Sequence, residues 1–562
     1  MLPRCAALVA LLLLLAAAPA AADVTFAGCF KPGAPTGDPC GSMPGARFGG
    51  LDTVTTPDGR WAVSAQGGLR IFEKTPSGAA FRRCYAERAP GCDPLTLAGG
   101  RELALSPDGR MLVAVSDVSD LLVWFAFDPA AGTATYGGCL AGPRGGGLGC
   151  AAQPELQSVG NPVFSPDGRH LYVGVGEQPR AAILTFAIDP ATGAPGYANC
   201  VAGRSSTVAC AERAQGLRSG RSFGITPDGR GVYASGRGID MLARDAATGQ
   251  LRGVGCIDED DEFGVCPMHA LVVNGGRPAI SPDGNFVYFV VGATIRGWRR
   301  DPRTQQLTPG PCLTQGPDGF EGCRVDTQLV SQSRLVMAPD GQNLYALGIS
   351  YARTPGETAG ELGISEIARD PASGAIALGG PCAHRRGGPV LTWCTVEADG
   401  FTAPISFDIS RDGTRLFAFN SGLFGDGSSG EVATAVFART PHPLPTPPAS
   451  SAAREAPPIV LADSGAGSRR RAHVPVGCGE GGACSGTVTL ELATGRKTVL
   501  GRRRFRVAAD QLSEVKVPLN AAARRRLSRL RGSATLAARA RIVRTRGEGA
   551  RRETVPVALD RR

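Results

Sequence analysis

Lysine is nearly missing from this chain of 562 residues: four (Lys31, Lys74, Lys497, Lys516) stand against 56 arginines, a skew we read mainly as codon bias in a GC-rich genome. Histidine is almost as scarce, with five residues, and aromatics make up 6%. Long apolar segments of 3.6-residue period are few, which argues against a helical protein. Beyond the N-terminus no apolar run is long enough to cross a membrane as a helix. No serine nucleophile elbow, phosphate-binding loop or zinc-ligand spacing stands in a supporting context.

What is plentiful is glycine (78) and proline (43), set between short alternating apolar runs, the pattern of an all-β chain. Residues 103–140 display the unit. A brief apolar strand, Leu103-Ala104-Leu105, runs into the turn Ser106-Pro107-Asp108-Gly109. Proline presets φ there, aspartate bonds the adjacent backbone, and glycine tolerates φ > 0. Runs 111–115 and 121–127 follow, then a turn at Asp128-Pro129-Ala130-Ala131-Gly132, then a fourth strand ending Gly137-Gly138-Cys139-Leu140. The first turn recurs seven times, with aspartates 58, 108, 167, 228, 283, 340 and 412 each followed by glycine at spacings of 50 to 72 residues. Four strands repeated at that period predict a seven-bladed β-propeller. The seventh unit lacks its fourth strand, while Asp23-Val24-Thr25-Phe26-Ala27-Gly28-Cys29-Phe30 matches the fourth-strand pattern. The N-terminal strand is therefore expected to close the ring and remove its open edge.

Ser165-Pro166-Asp167-Gly168-Arg169-His170-Leu171-Tyr172-Val173, with 183–189 and Pro190-Ala191-Thr192-Gly193, resembles the repeat of the seven-bladed lactonase-like (YVTN-type) propellers. The resemblance covers residues 23–439 and implies the fold. That superfamily includes lactone hydrolases, lactonising enzymes and non-enzymatic surface proteins, so it leaves activity open.

Arg4, the apolar stretch 5–18 and the Ala20-Ala21-Ala22 cleavage pattern read as a signal peptide over 1–22, and the mature chain as secreted or extracytoplasmic. Sixteen cysteines remain. They fall as couples: Cys29 and Cys40, Cys84 and Cys92, Cys139 and Cys150, Cys200 and Cys210, Cys256 and Cys266, Cys312 and Cys323, Cys382 and Cys394, Cys478 and Cys484. Recurrence at equivalent repeat positions favours nearest-neighbour disulfides over metal ligation, with the bridges pinning long surface loops. Phe26-Ala27-Gly28-Cys29 also loosely matches a lipid-attachment box, a use that competes with the disulfide of Cys29.

Residues 440–458 form a Pro/Ala/Ser-rich linker. Residues 459–562 carry seven or eight short strand patterns and a short helix or turn at 521–530. They are expected to form a small Ig- or fibronectin-like β-sandwich. From Pro458 onward the net charge is +15, which leaves −5 for the rest. The clusters Arg469-Arg470-Arg471, Arg502-Arg503-Arg504 and Arg524-Arg525-Arg526 suit a polyanionic cell-wall or extracellular polymer, or simply keep the domain in solution. One aromatic, Phe505, gives little for nucleic acid to stack on. A monomer is expected.

The turn aspartates are read as turn formers. Arg101, Arg221, Arg277 and Arg334 precede the turns by a nearly constant offset and are expected to converge at the channel mouth as a site for a carboxylate, phosphate or sulfate. No catalytic residue is assigned. His170, His269, His384, His442 and His473 are read as solvated. Asp258, Asp260 and Asp261 are a weak calcium candidate without EF-hand spacing, and no other cofactor or metal is expected. The favoured reading is a binding or scaffold protein; a lactonase-like hydrolase acting on a small lactone or sugar acid is the alternative.

Overall fold

The computed structural model describes residues 24–44, 52–65, 68–86, 90–95, 102–145, 149–176, 179–258, 266–267, 276–315, 323–326, 329, 331–350, 361–379, 382–385, 394–399, 404–423, 429–441, 465–467, 471–477, 484–492, 498–507, 512–528, 536–546 and 552–559. The expected signal peptide, most of the expected linker, Arg101, Asp260, Asp261, His269, His442 and Cys478 lie outside the described residues. The chain divides into one unit ending at Leu444 and a second beginning at Pro445.

The first unit is a seven-bladed β-propeller. Blade one comprises Thr53–Thr55, Trp61–Ala65, Leu69–Thr75 and Gly78–Ala86, and blade two Glu102–Leu105, Met111–Ser116, Leu121–Asp128 and Thr133–Ala141; the rest repeat this antiparallel order. Inner strands touch in sequence from blade to blade, and that of blade seven (Pro404–Ile409) touches that of blade one. Val24–Pro32 is the fourth strand of blade seven: Val24 lies opposite Arg439 and Phe30 opposite Thr434. The closure expected from residues 23–30 is thus observed.

Each first turn is held as its residues require. Ser106 Oγ accepts the Met111 N–H at 2.9 Å and donates to Asp108 at 2.5 Å, and Asp108 accepts the Arg110 N–H at 3.1 Å. The turn glycines stand at φ of 66° to 72°, a region costly for a residue with a Cβ.

Six disulfides join Cys29–Cys40, Cys84–Cys92, Cys139–Cys150, Cys200–Cys210, Cys256–Cys266 and Cys312–Cys323. Cys382 is also disulfide-bonded and lies in register with Cys394. Their role differs from the pinned loop expected. In six blades the chain returns after the bridge to add a short fifth strand parallel to the fourth: Phe30 pairs with Gly41, Tyr85 with Asp93, Leu140 with Ala151 and Leu313 with Arg324. A parallel return normally needs a long crossover. In five of these blades the bridge fixes it within 8 to 11 residues, and the added strand covers the blade's outer edge.

Buried arginines clamp successive blades. Arg244 Nε of blade four donates to the Tyr172 hydroxyl of blade three at 2.7 Å, its Nη2 to Asp167 at 2.8 Å, and its Nη1 to the Gly229 carbonyl of its own turn at 3.2 Å. Arg300 repeats the carboxylate and carbonyl bonds with Asp228 and Gly284. Arg369 meets Tyr288 and Gly341, with Asp283 at 3.9 Å. Arg439 holds Tyr345, Asp340 and Gly413. His170 lies inside this machinery. It is 4% exposed, its Nδ1 is 2.9 Å from Arg244 Nη2, and burial followed by the Arg244 charge pulls its pKa below the usual value. The solvated reading of His170 is therefore corrected, as is that of His384, which is 2% exposed.

In the second unit seven strands pair in one path, ordered Val499–Val507, Cys484–Leu492, Leu536–Arg546, Arg552–Leu559, Gly465–Gly467, Arg471–Gly477, Leu512–Pro518. A bridge between Gly501 and Leu519 joins the two ends of that path. Among the described residues the pairing therefore gives one sheet returning on itself, without the two separate sheets a sandwich would show. Ala521–Ser528 is a helix, N-capped by Asn520, whose Oδ1 accepts the Ala523 N–H at 2.9 Å.

Replacing Arg439 by Met strands the Asp340 carboxylate, itself 4% exposed. This should cost about 3–5 kcal/mol in denaturant unfolding. Adding Asp340→Asn should recover part of that loss.

Candidate functional site

Because the ring closes, polar residues on or just ahead of the inner strands meet around one axis. Asp52, Glu102, Asn161, Arg277 and Arg334 stand six residues ahead of turn aspartates 58, 108, 167, 283 and 340; Arg221 stands seven ahead of Asp228, and Asp408 four ahead of Asp412. Each blade contributes one polar group. Acids come from blades one, two and seven, an amide from blade three, and guanidiniums from blades four to six.

Three of the four expected arginines lie in this ring, but beside carboxylates. Arg277 Nη1 donates to Asp52 Oδ2 at 2.9 Å and its Nη2 to Glu102 Oε2. Arg334 Nη2 donates to Asp52 Oδ1 at 2.7 Å. Arg221 reaches Asp117 Oδ2 at 3.2 Å, with Glu102 Oε1 at 3.9 Å. Asp52 also accepts the N–H groups of Thr53 (3.0 Å) and Leu103 (3.3 Å). An incoming anion would have to compete with these carboxylates. The fourth expected arginine, Arg101, lies outside the described residues.

Asn161 ties the ring together from φ = 50°, a left-handed conformation that asparagine tolerates better than most residues. Its N–H donates to Glu102 Oε2 at 2.6 Å and its Nδ2 to the Phe223 carbonyl of blade four at 2.8 Å, so it links blades two, three and four. Among the described residues its Oδ1 is buried with no hydrogen-bond partner. A Cβ at the adjoining Gly160 would sit 3.0 Å from both Arg221 Nε and Glu102 Oε1, so glycine leaves space for that pair.

The two acids nearest Arg334 are driven apart. Burial alone would raise the Asp52 carboxyl, but the charges of Arg277 and Arg334 with the Leu103 N–H outweigh it and hold its pKa below the usual value. At Asp408 burial wins over the attraction of Arg334 and Arg277, is helped by repulsion from Asp52, and pushes the carboxyl up to about 7. Asp52 thus stays ionised near neutrality while Asp408 exchanges its proton there. Arg277, which burial would lower, is raised by Asp52 and Glu102 and stays charged.

The acids were visible in the same column ahead of the turns as the arginines. Reading that column for arginine alone missed Asp52 and Glu102, and searching for a base among histidines missed Asp408. Of the calcium candidates, Asp258 is engaged by Arg218 Nη2 at 2.6 Å, and among the described residues no group of three His, Cys, Asp or Glu could hold a metal.

The polar ring and closed strand order define the class, a β-propeller with a charged central channel. No protein-family profile and no curated protein match the chain. Solved structures similar to it include the periplasmic gluconolactonase of Pseudomonas aeruginosa, 16% identical, TM-score 0.40, covering 67% of this chain and 96% of that one. The Cps50 (Swd1) β-propeller domain of Myceliophteria thermophila is 11% identical, TM-score 0.40, with coverage of 70% and 99%. Hydrazine synthase of Kuenenia stuttgartiensis is 15% identical, TM-score 0.34, with coverage of 59% and 80%.

In the folded chain Asp408 keeps its proton to about pH 7, whereas an unfolded aspartate loses it near ~3.9. Its contribution to stability therefore falls as pH rises between those values and is least favourable above the higher one. Asp408→Asn should raise the thermal midpoint at pH 8, with the gain shrinking as pH falls to 4.

Proposed function

We propose that the channel is an acid–base site that hydrolyses a small lactone or sugar lactone outside the cytoplasm. The observation that carries this reading is the Asp408 carboxyl, buried near Arg334 and Arg277 and pushed up to about 7. General acid–base catalysis works best with a group whose pKa lies near the working pH. The lactone class comes from the resemblance of the repeat around Ser165-Pro166-Asp167-Gly168 to lactonase-like propellers. Asp408 carboxylate takes a proton from water as the water oxygen bonds to the lactone carbonyl carbon. The carbonyl oxygen takes up the negative charge beside the arginines. When the carbonyl re-forms, the ring C–O bond breaks and Asp408 returns the proton to the leaving oxygen, giving an open hydroxy acid. The disulfides fit an oxidising compartment. The exposed Arg502-Arg503-Arg504 and Arg524-Arg525-Arg526 would hold the protein on an acidic polymer there.

With a panel of five- and six-membered sugar lactones, kcat should rise with pH through about 7. Asp408→Asn should lower kcat by about 100-fold or more with KM nearly unchanged. An absence of turnover above the uncatalysed rate across the panel rejects the reading.

The convergence of Arg221, Arg277 and Arg334 favours a second reading, capture of an anionic ligand without turnover. Calorimetry with gluconate or sulfate should then show binding that the double substitution Arg221→Ala, Arg277→Ala weakens at least tenfold; unchanged affinity excludes it.

A further inference from the structure

The junction between blades two and three departs from the other six. At four junctions a guanidinium sits between the turn carboxylate of one blade and the turn carbonyl of the next: Arg244, Arg300, Arg369 and Arg439. At the junction of blades seven and one, Lys74 pairs with Asp412, and Arg415 donates to the carbonyls of Thr75 (3.0 Å) and Pro76 (2.7 Å). At that of blades one and two, Trp61 Nε1 donates to the Pro129 carbonyl at 2.7 Å, and its ring lies where a Cβ on Gly132 would fall.

Between blades two and three the positions that supply these groups elsewhere carry other residues. The arginine position holds Ile188, the tyrosine position Val113 and the tryptophan position Met111. A Cβ on Gly193 would meet nothing within 4 Å. The space is a cavity of about 450 Å³, within the usual range for small-molecule sites. Met111, Trp124, Phe164 and Ile188 form its apolar walls, Arg110, Arg169, Asp167 and Asp189 bring charges of both signs to it, and Asp108 and Gly168 also line it. Those two are the counterparts of the carboxylate and the turn carbonyl that receive a guanidinium elsewhere. Among the described residues Asp108 makes only the bonds of its own turn, to Ser106 and the Arg110 N–H.

We propose that this cavity binds a planar organic cation, a guanidinium or amidinium group, in the place that an arginine of the chain itself fills at four other junctions. The Asp108 carboxylate and the Gly168 carbonyl accept its N–H groups, and Trp124 and Phe164 supply aromatic surface to its face. The site lies on the turn face of the ring and is independent of the channel chemistry.

The probe is benzamidine, titrated by calorimetry into the full chain, with benzamide as the neutral isostere. Benzamidine should bind at least tenfold more tightly than benzamide. Asp108→Asn should weaken it at least tenfold, and Ile188→Arg, which supplies the missing guanidinium from within, should abolish binding and raise the thermal midpoint. Agmatine and the peptide acetyl-Gly-Arg-Gly-amide distinguish a free guanidinium compound from an arginine carried on a chain; binding of either supports the site. Failure of all three cations to bind, equal binding of benzamide, or an affinity unchanged in Asp108→Asn overturns the proposal, and the last needs no folded Ile188→Arg variant.

Discussion

Closure of the ring is the constraint on which the rest depends. A repeated four-stranded sheet satisfies its own hydrogen bonds, but its inner strand finds neighbours only if the first blade meets the last. The pairing of Val24–Pro32 with Ser429–Arg439 provides that meeting, because blade seven is built from both ends of the propeller sequence. Once it is made, seven inner strands share one axis, and Asp52 comes within 2.7 Å of Arg334, 282 residues away.

That convergence sets the electrostatics of the channel. Three guanidiniums brought together without partners would repel each other and be stripped of water at once. The carboxylates of Asp52, Glu102 and Asp117 offset this, and removing one partner of a buried pair leaves the other charge uncompensated. Asp408 is left with a carboxyl that neither ionises freely nor stays neutral across the physiological range. Both carboxyls are buried near Arg277 and Arg334; at Asp52 the guanidiniums outweigh burial, and at Asp408 burial, aided by Asp52, outweighs the guanidiniums.

The blade junctions show how a repeat tolerates variation. The guanidinium between turn carboxylate and turn carbonyl is a solution reused four times, and indole or lysine serves at two further junctions. The arginines stand at the end of the third strand in blades four to seven, so the column was readable in the sequence. Its partners were not, since Tyr172 and Arg244 come together only when blade three packs on blade four. His170 was misread for the same reason: it follows a surface turn, but the neighbouring blade covers it.

The periodic turns, the displaced Gly28-Cys29 and the paired cysteines of the propeller by themselves determined the blade count, the closure and the partners of the six described disulfides, because each depends on local geometry repeated at a fixed interval. Tertiary structure alone decided which polar groups face each other across the channel, that the bridges hold parallel fifth strands, and that the strand path of the second unit returns on itself through Gly501 and Leu519. Those outcomes depend on distances between residues far apart in the chain, and charge and burial act through distance in space. The carboxyl of Asp408 takes its character from burial, set against the pull of Arg334 and Arg277 and aided by Asp52, none of which is its neighbour in sequence.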